Sequence, residues 1–126
     1  MKILIIEDEW IIAHDLKLML KTLGYNVLCS VDNGQDAVKI TEQLKPDIIF
    51  MDIKLKGEIS GIDAAEVILQ RFGKSVIYIT AYQDPETYLQ AFKTKPIAYI
   101  NKPFTDLELE CALEKAVSSK ITAMVV

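Results

Sequence analysis

The sequence predicts an α/β domain, a five-stranded parallel sheet covered by helices on both faces, with strand order 2-1-3-4-5. Three observations carry that expectation. Runs such as Lys2 to Ile6 and Ile48 to Met51 are apolar throughout rather than alternating, as strands buried on both sides must be. A stretch with helical spacing follows each run, so that strand and helix alternate five times, which calls for right-handed crossovers between parallel strands. Polar residues close several runs on their carboxyl side, the edge where open α/β sheets bind ligands. Five such units in 126 residues fit a flavodoxin-like doubly wound domain.

Taken in order, Lys2 to Ile6 is strand 1 and ends on Glu7-Asp8. Ile12, Leu16, Met19, Leu20 and Leu23 share one stripe of helix 1, and Gly24 stops it. Tyr25 to Val31 alternates loosely as strand 2. Asn33 caps helix 2, which runs to about Leu44 with Ala37, Val38, Ile40, Thr41 and Leu44 inward. Asp47 to Asp52 is strand 3, and a loop from Ile53 to Ile59 containing Gly57 follows it. Ser60 with Asp63 resembles a capping box that starts helix 3, and Gly73 stops that helix after Phe72. Ser75 to Thr80 is strand 4. Asp84-Pro85 starts helix 4, an N-cap followed by proline at the first helical position. That helix runs to about Lys93 and Pro96 breaks it. Ile97 to Ile100 is strand 5. Thr105 and Glu108 form a second capping box, Phe104 can staple onto Leu109, and helix 5 continues to about Ser119. Residues 121–126 are apolar without a clear period and are left unassigned, which makes residues 1–120 the domain.

Bulk composition narrows the function. The chain is 51% hydrophobic and 25% charged, so it is globular, and its length fits one domain with a full core. A net charge of -4 argues against direct nucleic-acid binding as the main role and mildly favours cations. Cys29 and Cys111 lack CxxC spacing and are expected to be buried thiols in a reducing compartment. No basic segment leads into a long apolar one at the start, and no stretch is long enough to insert in a bilayer. The expected location is cytoplasmic.

The 2-1-3-4-5 order would bring the strand ends to one rim: Glu7 and Asp8 from strand 1, Asp52 from strand 3, Thr80 from strand 4 and Lys102 just past strand 5. Two carboxylates about 5 Å apart repel by roughly 3 kcal/mol at an effective dielectric of 20. Three together either hold a proton or recruit a cation, and oxygen-only ligands suit Mg²⁺. A cation held by carboxylates beside an ammonium and a hydroxyl is a phosphoryl-transfer arrangement, with Asp52 as nucleophile. The small Ala81 leaves a phosphoryl group accessible.

These residues resemble the receiver domains of two-component response regulators. The resemblance rests on Glu7-Asp8, the PDIIFMD run ending at Asp52, Thr80-Ala81, and Tyr99 through Lys102-Pro103-Phe104, and it covers residues 1–120. It implies that Asp52 accepts a phosphoryl group from a sensor histidine kinase or phosphotransfer protein. It implies that Asp8, Asp52 and the Lys54 carbonyl ligate Mg²⁺, with Glu7 acting mainly through a water. Lys102 would pair with the phosphoryl oxygens, and Lys102-Pro103 would be a cis peptide. Thr80 and Tyr99 would form a switch that remodels the face of helix 4, strand 5 and helix 5, a face that can also form a homodimer. The chain would be no enzyme beyond transferring and hydrolysing its own phosphoryl group. The loop after Asp52 departs from the family's usual pattern, lacking a Met-Pro pair and running about one residue longer. Tyr82 would flank the phosphoryl group and shield it. Two other functions compete. An interaction module of the same fold would never take a phosphate, which the intact acid, hydroxyl and lysine set opposes. A phosphohydrolase would need a second aspartate where Lys54 stands, and a cap domain.

Overall fold

A computed structural model describes residues 1–125, with side chains through Ile121. The apolar runs pair as one parallel sheet in the order β2-β1-β3-β4-β5. The strands are β1 (Lys2–Ile6), β2 (Asn26–Val31), β3 (Ile48–Met51), β4 (Ile77–Thr80) and β5 (Ala98–Asn101). The helices are α1 (Trp10–Thr22), α2 (Gly34–Leu44), α3 (Gly61–Phe72), α4 (Pro85–Phe92) and α5 (Asp106–Val125). Element order, topology and fold class match the expectation.

Side-chain alternation along the strands divides the interior into two cores. Ile3, Ile5, Ile48, Phe50, Ile77 and Ile79 point to a core completed by Leu16 and Leu20 of α1 and by Leu109 and Leu113 of α5. Leu4, Ile6, Ile49, Met51 and Tyr78 point the other way, against Ala37 of α2, Ala64 and Ile68 of α3, and Ala91 of α4. All four residues of β3 are buried, which is why its sequence shows no alternation.

The local signals act as read. Asn33 Oδ1 accepts from the Asp36 amide at 2.8 Å. Ser60 and Asp63 form a reciprocal capping box. Asp84 accepts from the Thr87 amide at 3.0 Å, and Thr105 Oγ1 accepts from the Glu108 amide at 3.1 Å. Gly73 ends α3 in the left-handed region at φ 64°, where a side chain would be strained.

Three expectations need correction. Leu44, expected on the inward face of α2, is exposed, because it is the last residue of the helix. Cys111 is exposed and Cys29 only partly covered, because Cys111 falls on the outer face of α5 and Cys29 lies on edge strand β2. The last helix does not stop near Ser119: α5 continues to Val125, since the segment holds no glycine or proline to end it. Val126, part of the unassigned tail, lies outside the described residues.

Candidate functional site

Register fixes the site. Ile6 pairs with Met51, and the Asp52 amide donates to Ile6 O at 2.9 Å, so Glu7 and Asp52 leave the sheet side by side. Thr80 pairs with Asn101, and the Lys102 amide donates to Thr80 O at 2.9 Å. By strand alternation Glu7, Asp52 and Lys102 share the parity of Ile5, Phe50 and Ile100, the face covered by α1 and α5. Thr80 and Tyr99 fall on the opposite parity, toward α4.

The charged groups are buried and paired. Glu7 and Asp52 are each 6% exposed. Lys102 Nζ donates to Glu7 Oε1 at 2.5 Å and to Asp52 Oδ2 at 3.1 Å. The other oxygen of Asp52, Oδ1, accepts from the Ile53 amide at 2.8 Å. Glu7 Oε2 accepts from the Glu9 amide at 3.2 Å. The half-buried Asp8 completes the group: oxygens of Glu7, Asp8 and Asp52 all lie within 4.8 Å of one another.

Electrostatics follow from that crowding. Burial, opposed by the Lys102 hydrogen bond and reinforced by neighbouring Asp52, pushes the Glu7 carboxyl up to about 7. Burial works against the charge of Lys102, but its hydrogen bond to Glu7 and the charge of Asp52 outweigh that, and its pKa is raised. Two carboxylates thus share one ammonium with a third beside them, and the Glu7 carboxyl holds its proton up to about pH 7. An all-oxygen set with a surplus of negative charge fits a hard divalent cation such as Mg²⁺.

The hydroxyl side is organised by the backbone of one residue, Tyr82. Thr80 is fully buried, and its Oγ1 accepts from the Tyr82 amide at 3.3 Å. The Tyr99 hydroxyl donates to the Tyr82 carbonyl at 2.7 Å. The Tyr99 ring stands edge-on to Tyr88 of α4 at 5.1 Å and lies 5.9 Å from Tyr78.

Of the expected site residues, Glu7, Asp8, Asp52 and Lys102 come together, and Thr80 leaves the sheet beside Lys102. Lys102-Pro103 is cis. Lys54 is exposed and stands outside the acidic cluster as a side chain. Sequence reading missed the direct Glu7–Lys102 pair, the Ile53 amide on Asp52, and the Tyr82 backbone between the Thr80 and Tyr99 hydroxyls. Backbone groups carry two of these, and no residue type signals them.

A family profile, "Response regulator receiver domain", matches residues 3–114. The chain belongs to the response regulator receiver domains. It is 37% identical over 125 residues to the transcriptional regulatory protein PdtaR of Mycobacterium tuberculosis, covering 98% of this chain and 60% of that protein. It is 40% identical over 116 residues to the phyllosphere-induced regulator PhyR of Methylorubrum extorquens, covering 91% of this chain and 43% of that protein. This receiver domain therefore spans at most about 60% of the length of these two curated relatives. The solved signal receiver domain of a modulated diguanylate cyclase from Desulfovibrio desulfuricans G20 is similar with a TM-score of 0.89, 35% identity and 97% of both chains covered. Among the described residues of this receiver domain, no helix is long and apolar enough to cross a membrane.

Proposed function

We propose that this receiver domain takes a phosphoryl group on Asp52 from a sensor histidine kinase or phosphotransfer protein and thereby switches the α4–β5–α5 surface. The observation that carries the reading is the shared ammonium: Lys102 Nζ holds both Glu7 and Asp52 within a triad of crowded carboxylates.

The chemistry is a displacement at phosphorus. An Asp52 oxygen forms the new O–P bond as the donor's N–P bond breaks, and the electron pair leaves with the imidazole nitrogen. Asp52 is held for this by one donor on each oxygen, the Ile53 amide and Lys102. Lys102 keeps its charge and pairs with the phosphoryl oxygens. Asp8, Asp52 and the Lys54 carbonyl would hold Mg²⁺, with Glu7 acting mainly through a water, and the ion would supply charge neutralisation at the same oxygens. Thr80 turns its hydroxyl from the Tyr82 amide to the phosphoryl group, and Tyr99 rotates inward, which loosens the loop before α4.

The domain is no enzyme toward a separate substrate; its catalysis ends on its own aspartate. Exposed Tyr88, Leu89 and Phe92 on α4 support partner binding or homodimer formation at the switched face. Work in the cytoplasm fits a partner kinase that holds ATP there. The rival reading, an interaction module that never takes phosphate, leaves the buried Lys102–Asp52 pair without a purpose.

Incubation with acetyl phosphate and Mg²⁺ followed by intact mass tests the proposal. One added phosphoryl mass is expected, lost in Asp52→Asn and in the presence of a chelator. An unchanged mass, or a gain that survives Asp52→Asn, overturns it.

A further inference from the structure

The loop from Ile53 to Ser60, where a departure from the family's usual pattern is expected, is tied down by the structure at an unexpected place. Its first residue, Ile53, is buried, and its amide orients Asp52 Oδ1 at 2.8 Å. The Ile53 carbonyl accepts from the Gly61 amide at 2.6 Å. The far part of the loop leaves α3 and leans on the start of α2. Lys56 forms a parallel bridge with Asn33. A Cβ on Gly57 would lie 3.1 Å from Gln35 Oε1. Ile59 fills the space over Gly34 so closely that a Cβ there would meet its Cγ1 at 2.6 Å.

Gly34 therefore needs a reason beyond its own helix. It is buried at the first position of α2 without a positive φ, so alanine would suit the helix better. The missing side chain makes room first for Ile59 and also for Ala64 of α3, whose Cβ a Gly34 Cβ would meet at 3.2 Å. Gly61, the first residue of α3, repeats the device: its Cβ would fall 1.8 Å from the Asp52 carbonyl oxygen. The loop is thus clamped between two helix starts, with the phosphoacceptor at one end.

We infer that Gly34 is a positioning residue for the phosphoacceptor: the socket it leaves seats Ile59, which holds the loop whose first peptide orients Asp52. This rests on the reading of Asp52 as the phosphoacceptor. It makes the start of α2, on the far side of the loop, part of what sets the site's geometry.

The test compares wild type, Gly34→Ala, Ile59→Ala and the double variant in three measurements. These are Mg²⁺ affinity from Trp10 fluorescence, initial phosphorylation rate with acetyl phosphate by intact mass, and thermal midpoint. Gly34→Ala is expected to weaken Mg²⁺ binding and to slow phosphorylation roughly tenfold, since even small misplacement of a reacting group is costly. Removing the Ile59 side chain in the same protein should restore both to the level of Ile59→Ala alone. Unchanged affinity and rate in Gly34→Ala, a change confined to the thermal midpoint, or a double variant more impaired than Ile59→Ala alone overturns the inference. Should Gly34→Ala fail to fold, amide exchange in Ile59→Ala decides. The Ile53 amide should exchange faster while the Asp52 amide, bonded to Ile6, stays protected; unchanged Ile53 exchange overturns the inference. That readout needs no phosphorylation. If wild type neither binds Mg²⁺ nor gains mass, the functional reading fails and the loop inference is still judged.

Discussion

Strands β1 and β3 end on groups held from several sides, whereas Thr80 of β4 and Tyr99 of β5 meet through the backbone of one loop residue, Tyr82. Glu7 and Asp52 each accept two hydrogen bonds, one from Lys102 and one from a backbone amide, and both are buried. Beyond them α3 buries Gly61, Ala64, Ala65 and Ile68. Thr80 and Tyr99 instead meet only through the amide and carbonyl of Tyr82. Beyond them α4 has 8 residues and buries Ala91 alone. Burial of one methyl group is worth about 0.8 kcal/mol, too little to hold a helix in one place. The difference teaches how one rim can do two jobs. The charged half is preorganised, so little would have to move on the proposed phosphorylation. The hydroxyl half is weakly held, so a modest change in contacts can shift it.

Substitutions can break that division. Lys102→Ala removes the one ammonium shared by two buried carboxylates, and the phosphorylation rate with acetyl phosphate should fall by about 10²-fold or more. Thr80→Ala should slow the same reaction far less, because Thr80 binds no carboxylate. If the two variants lose equal rate, the hydroxyl half is part of the preorganised chemistry and the division fails.

Acidity sharpens it next. The folded protein raises Glu7 from 4.5 to about 7, so the metal-free domain binds the extra proton more tightly than the unfolded chain does. The resulting stability is fully present below pH 4.5 and is lost as pH rises through about 7. A cation competes with that proton, so Mg²⁺ affinity should rise over the same window, by at most about tenfold per pH unit for one proton. Mg²⁺ titrations between pH 5 and 8, approximate bounds chosen to bracket the carboxyl, should show this slope in wild type and a flatter one in Glu7→Gln. An equal slope in both proteins would place the titrating group elsewhere.

The weakly held half should answer more quietly. Tyr99→Phe removes the bond to the Tyr82 carbonyl and should cost about 1 kcal/mol or less in denaturant unfolding. Its phosphorylation rate should stay near wild type, while amides of residues 81–84 exchange faster. A large rate loss would mean that Tyr99 belongs to the held half. The smallest effect is expected at Tyr82, which is 38% exposed. Tyr82→Ala should shorten the lifetime of the phosphorylated protein a few-fold by letting water in, measured as decay of the added mass. An unchanged lifetime removes the shielding role.

Much of this was legible in the residues. Local signals named the elements because their causes are local: Asn33, Ser60, Asp84 and Thr105 each cap the helix beside them. The apolar runs named the strands because burial on both faces leaves no polar position in Ile48–Met51. Strand order then followed from general rules for crossovers, and with it the meeting of Glu7, Asp8, Asp52 and Lys102. Cys111 and the end of α5 were misjudged because burial and helix length depend on neighbours that composition does not reveal.

By itself, then, the sequence determined the architecture and named the polar groups that meet at the rim, since periodicity, caps and strand-end residues are properties of short stretches. Only the tertiary structure decided how those groups are held. Lys102 reaches Glu7 across 95 positions of chain, and Ile59 finds its socket at Gly34. Tyr99 and Thr80 share the backbone of one loop residue, Tyr82. Contacts of this kind depend on backbone amides, carbonyls and missing side chains brought together by packing, and a linear pattern carries no mark of them.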